Sequence, residues 1–101
     1  MSYSINWDIV AIESLVSESD FILNKWNQTE VNKFENLVKL NLERLSKNPE
    51  IGKFIKELNA FSIVISKQTT LYYNFYEETK VIDLYLFWNN LKNPNDLLKL
   101  L

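Results

Sequence analysis

The chain has 101 residues, 47 % of them apolar and 14 % aromatic, at a net charge of −2, enough for one hydrophobic core and too short for two. It has no cysteine, no histidine and a single glycine, Gly52, which excludes disulfides, thiolate or imidazole metal sites, histidine bases and glycine loops around phosphates. No apolar run nears the ~18 residues that cross a bilayer, and "MSYSINWDIV" lacks the charged and apolar regions of a signal peptide, so a cytoplasmic protein without a membrane partner is expected.

"YSINW" alternates Tyr3, Ile5 and Trp7 with polar residues, the period of a half-buried strand. Asp8 reads as the N-cap of a helix reaching about Trp26, with Trp7 and Ile12 spaced as a hydrophobic staple. Ile12, Leu15 and Ile22 give that helix its apolar stripe. "NQTE" starts a second helix, capped by Asn27 or Thr29, whose stripe is Val31, Phe34, Val38, Leu42 and Leu45. Glu35 with Lys39 and Glu43 with Lys47 are spaced as ion pairs on its wet side. Pro49 ends it, and the two helices form an antiparallel hairpin. Val16, Leu37 and Leu40 are apolar positions left over, a groove that suits a partner helix.

The second half changes period. "FSIVIS", "TLYYNFY" and "KVIDLYLFW" read as three antiparallel strands, separated by "SKQT" and "EET". "IGKFIKELNA" stays ambiguous: Pro49 and Gly52 favour a loop, while Phe54, Ile55 and Leu58 favour an anchor on the core. Asn95 is a plausible cap for the closing "DLLKLL". The predicted fold is α+β, one domain over residues 1–101, in the order β-α-α-β-β-β with a short C-terminal tail. The helix hairpin covers one face of a small antiparallel sheet. The other face is wet or covered by a partner.

Three motifs in register resemble the RelE/ParE superfamily of bacterial toxins from type II toxin–antitoxin systems, most of all its plasmid-stabilisation branch. "LSKNPEIG" (45 to 52) is similar to that branch's helix end and turn, and "VISKQTTLYY" (64 to 73) to its second and third strands. "FWNNLKNP" (87 to 94) is similar to the end of its last strand. The resemblance implies a toxin silenced by a cognate antitoxin whose C-terminal segment wraps it. Members similar to RelE cut messenger RNA on the ribosome with lysines, arginines and a tyrosine on the open sheet face. Members similar to ParE inhibit growth by binding DNA gyrase. Neither mode uses a metal or cofactor. The assemblies left open are a homodimer and a toxin–antitoxin hetero-oligomer.

The sequence departs from that branch. Where relatives place a basic residue it has Phe61, Asn74 and Leu91, and Asn89 stands where an aspartate is common. Arg44, the only arginine, lies on the second helix. The expected surface for a target or antitoxin runs through Lys67, Gln68, Thr69, Thr70, Tyr72, Asn74 and Tyr76, then Trp88, Asn89 and Lys92. Lys67 is the one candidate for a catalytic cation, although a lysine in such a turn is more often a solvated charge that blunts an edge. Glu77, Glu78 and Asp83 read as a solvated turn and sheet margin, not as a metal site. RNA cleavage without histidine or metal needs several fixed cations, so a ParE-like binding mode is the leading expectation. An RNA-cutting toxin and a non-toxic family member are the alternatives.

Overall fold

The computed structural model of the chain describes residues 2–101. Strand β1 (Ser4–Trp7) passes through Asp8 into helix α1 (Ile9–Lys25), and the Asp8 carboxylate accepts from Val10 N at 3.0 Å as an N-cap does. Helix α2 (Gln28–Lys47) is capped by Asn27, which accepts from Glu30 N at 2.9 Å. A 3-10 turn (Pro49–Ile51), strand β2 (Lys53–Ile55) and a second 3-10 turn (Lys56–Leu58) follow. The chain then forms β3 (Ala60–Val64), β4 (Thr69–Tyr76), β5 (Val81–Asn89) and helix α3 (Pro94–Leu100). Among the described residues no helix is long and apolar enough to cross a membrane.

The five strands make one sheet in the order β1-β5-β4-β3-β2. Three ladders are antiparallel, but β1 runs parallel to β5, with Ile5 opposite Ile82. A strand followed by a long helical excursion is free to return beside its partner in parallel. The ambiguous stretch resolves into a short edge strand, β2, that pairs Phe54 with Phe61. The tail is a helix, and its cap is Asn93, not Asn95: Asn93 Oδ1 accepts from Asn95 N at 3.0 Å, with Pro94 at the first position.

Both helices of the hairpin pack on one face, where Leu71, Tyr73, Ile82, Leu84 and Phe87 meet Ala11, Ile22, Phe34, Val38 and Leu45. Ile12 does not join them and is 48 % exposed. The buried line of α1 runs through 11, 15, 18 and 22, and a neighbouring position is turned about 100° away. Trp7 stacks on Phe87 at 5.9 Å. The predicted ion pairs on α2 do not close. Among the described residues the only bridges are Lys33 with Glu30 and Lys99 with Asp96, both exposed and so worth little.

Tyr73 explains the first motif. Its buried hydroxyl donates to Pro49 O at 2.7 Å and accepts from Gly52 N at 3.1 Å, tying the end of α2 to the middle of the sheet. A side chain at Gly52 would collide with that hydroxyl and lie 2.8 Å from Ser62 O, so glycine is required by close approach. Burial pushes the Tyr73 hydroxyl up to about 12, against a small opposing effect of the Gly52 N–H.

Candidate functional site

Alternation along β4 turns Thr70, Tyr72, Asn74 and Tyr76 away from the helices. On β5 the alternation is broken. Tyr72 pairs with Leu86 and Tyr73 with Leu84, which leaves Tyr85 as the extra residue of a bulge. Tyr85, Leu86 and Trp88 thus join the face of Tyr72 and Asn74. Without the bulge, Trp88 and Tyr85 would sit on opposite faces.

This face is not simply open. Leu97 of α3 packs on Leu86 and Trp88, with Tyr72, Tyr85 and Val10 at the margin, so the chain covers with its own C-terminal helix part of what the sequence reading left to water or a partner. Trp88 is buried under it, and Lys92 Nζ lies 5.7 Å from the centre of the Trp88 ring. Thr70 is buried too and bonds Asn90 Oδ1 at 3.0 Å.

The remaining expected residues divide. Thr69 and Asn89 oppose each other and face the helices, both buried. Thr69 Oγ1 donates to the carboxylate of Glu18 on α1, and Asn89 Oδ1 accepts from Leu91 N at 2.9 Å. Thr69 thereby ties the end of the sheet to α1, while Asn89 shapes the turn that follows β5. Lys67 is exposed in the β3–β4 connection, where its carbonyl accepts from Asn90 Nδ2 at 3.3 Å. Gln68 buries Oε1 without a protein partner, and the residue borders a hollow of about 360 Å³ with Trp26, Phe34 and Leu37. Lys92, like Lys67, is exposed. Of the three neutral positions, Asn74 faces away from the helices, Phe61 stacks on Tyr73 at 5.7 Å on the helix side, and Leu91 lies exposed beyond the sheet.

The other end of the same face is open. Between the start of α1, the second 3-10 turn and the end of α3 lies a half-open hollow of about 380 Å³, lined by Asp8, Asn59, Asn74, Tyr76 and Tyr85. The Tyr76 and Tyr85 hydroxyls are 3.3 Å apart, and Asn74 Nδ2 donates to Asn59 O at 2.8 Å. Asn59 holds φ 52°, a left-handed conformation that asparagine tolerates better than most residues. Burial, then the Tyr76 hydroxyl, pushes Tyr85 up to about 12, and burial also raises Tyr72. Asp83, on the same face, accepts from Asn6 Nδ2 at 2.9 Å. The sequence reading missed Asp8, Asn59 and Tyr85 as one site. Asp8 serves visibly as a cap, Asn59 sits in an ambiguous stretch, and the bulge that aims Tyr85 leaves no mark on a run such as "VIDLYLFW".

Two solved structures share this architecture closely. A chain of the RelBE2 toxin–antitoxin complex from Mycobacterium tuberculosis superposes with a TM-score of 0.63 at 16 % identity, over 89 % of this chain and 100 % of that one. A free, doubly arginine-substituted RelE toxin from E. coli gives a TM-score of 0.60 at 18 % identity, over 90 % and 86 %.

The fold is that of RelE. No protein-family model matches the chain and no curated protein does, so the likeness is one of backbone shape. Within this RelE fold the side chains are the chain's own. The open face presents Tyr72, Tyr76, Tyr85, Asn74 and Asp83 from its two central strands, which carry no lysine or arginine of their own.

Proposed function

We propose that the chain is the toxin of a bacterial type II toxin–antitoxin pair and that it disables its target by binding, in the manner of ParE on DNA gyrase. The observation that carries the binding mode is the missing cation. Cutting a phosphodiester without histidine or metal requires several fixed positive groups around the developing charge. Between Thr70 and Trp88 the face supplies Tyr72, Asn74, Tyr76, Asp83 and Tyr85, none of them cationic. Lys67 and Lys92 lie in exposed loops at one end. Aromatic residues with few charges suit contact with a protein better than with a phosphate backbone.

The partner that follows is a cognate antitoxin, as in the complex whose chain has this fold. The exposed apolar residues Val16, Leu37 and Leu40 on the helix hairpin suit an amphipathic antitoxin helix. A RelE-like, ribosome-dependent ribonuclease is the second reading, favoured by the fold of free RelE. It needs Lys67 and Lys92 as its cations. A chain that pairs with an antitoxin without being toxic is the third.

Tightly induced expression in a bacterial host tests the toxin reading. Growth should stop, and co-expression of the short reading frame adjoining the gene should restore it. Unimpaired growth with soluble protein present contradicts it.

A further inference from the structure

We propose that the hollow beside Tyr76, Tyr85 and Asp8 is a receptor for the arginine side chain of a basic peptide segment. The inference rests on the binding reading of this face and names the chemistry of the partner. The hollow is rich in acceptors and holds no cation. Asp8 spends one carboxylate oxygen on Val10 N at 3.0 Å, which leaves the other for a ligand. The two tyrosine hydroxyls bond each other at 3.3 Å, with lone pairs to spare. The pull on the Tyr85 hydroxyl is upward, so at neutral pH it is a neutral hydroxyl whose oxygen accepts. Both donors of the Asn74 amide are taken up within the wall, one by Asn59 O and the other by the Tyr85 hydroxyl.

The surroundings agree in sign. The framing elements carry Asp8, Glu57, Glu77, Glu78, Asp83 and Asp96 against Lys56, Lys80 and Lys99, the last of which bridges Asp96 on its own helix. Lys80 is drawn to the opposite face, with Nζ 5.0 Å from the Tyr3 ring. An anion or nucleic-acid backbone finds nothing here to neutralise it. A guanidinium fits better than an ammonium because its planar fork supplies five donors and stacks on a tyrosine ring. Leu58 and Leu100 on the wall suit the methylene stem. The hollow is half-open, which suits the end of a side chain, whereas a small-molecule site encloses most of its ligand.

The test is an NMR titration of the ¹⁵N-labelled chain with the blocked peptide acetyl-Gly-Arg-Gly-amide, its citrulline counterpart and agmatine. The arginine peptide should shift the side-chain amides of Asn59 and Asn74 saturably, with Kd on the order of 1 mM, and agmatine should bind no tighter. Citrulline, the same shape without charge, should bind about tenfold more weakly or not at all. Asp8→Asn should also weaken the arginine peptide about tenfold while keeping the helix cap, since asparagine caps as well as aspartate. Tyr85→Phe should weaken it less. Equal binding of citrulline, no effect of Asp8→Asn, or no saturable shift at Asn59 and Asn74 would overturn the proposal, and tighter agmatine binding would overturn the peptide source. The titration reads binding whatever the growth experiment finds. A non-toxic chain that binds the peptide keeps this inference and loses the other, and a toxic chain that ignores it does the reverse.

Discussion

The two faces of β4 divide the labour of one strand. Leu71 and Tyr73 are wholly buried against the helix hairpin, with Phe75 beside them. Tyr72, Asn74 and Tyr76, one position out of step, are half-buried or exposed and share the polar chemistry of the opposite face with Asp83 and Tyr85 of β5. Period-two geometry alone makes the division, so stability and the proposed recognition are separable by choosing odd or even residues. The opposite face divides again along its length. Near Trp88 it is closed by Leu97, and near Tyr76 and Tyr85 it is hollow.

Substitutions sharpen that contrast. The largest effect belongs to the helix side: Leu71→Ala should cost about 2–5 kcal/mol, whereas Tyr76→Ala across the same strand should cost ~1 kcal/mol or less, both read by urea unfolding. Equal costs would break the division of faces. Alkali should expose Tyr73 next. The folded chain holds its proton to about 12 and the unfolded chain releases it near 10. Between those values the unfolded state binds fewer protons, so stability falls as pH rises, by about 2–3 kcal/mol in all, and is intact below pH 10. Tyr73→Phe should flatten that loss while costing about 1–3 kcal/mol at neutral pH through the unpaired Pro49 carbonyl and Gly52 N–H.

Smaller effects test the opposite face. Leu97→Ala should strip α3 of about 2 kcal/mol of local protection in hydrogen exchange, leaving the amides of Leu71 and Ile82 unchanged. Loss of protection in both would make α3 part of the core. Lys67→Ala should change stability by no more than about 0.5 kcal/mol, since its side chain is exposed and in no ion pair among the described residues.

Much of this was legible in the residues. Periodicity located both hairpin helices and the last three strands; Asp8 announced the first helix start, and of the two caps open for the second, Asn27 or Thr29, the structure uses Asn27. Pairing across the sheet was harder. Nothing local in "YSINW" says that β1 will lie parallel to β5, because that depends on where two helices and the three strands β2, β3 and β4 leave the chain before Val81. Ile12 shows the limit of apolar counting: α1 has more apolar residues than its buried line can take, and the buried line includes Glu18 because Thr69 waits opposite with a hydroxyl. The expected surface was half legible. Its even positions on β4 were found by alternation, but Thr69 and Asn89 belong to the packing against α1, and Trp88 lies beneath a helix that reads as a short tail.

Under the proposed function this face works by binding and does not cut RNA. Parallel incorporation of labelled methionine and thymidine after induction tests it most directly, in cells carrying the chain or its Lys67→Ala, Lys92→Ala double variant. Binding to a gyrase-type target predicts that thymidine uptake falls first, with DNA-damage signalling, and that the double variant behaves like the parent. A fall in methionine uptake first, abolished in the double variant, would contradict it and make those two lysines the centre of a ribonuclease.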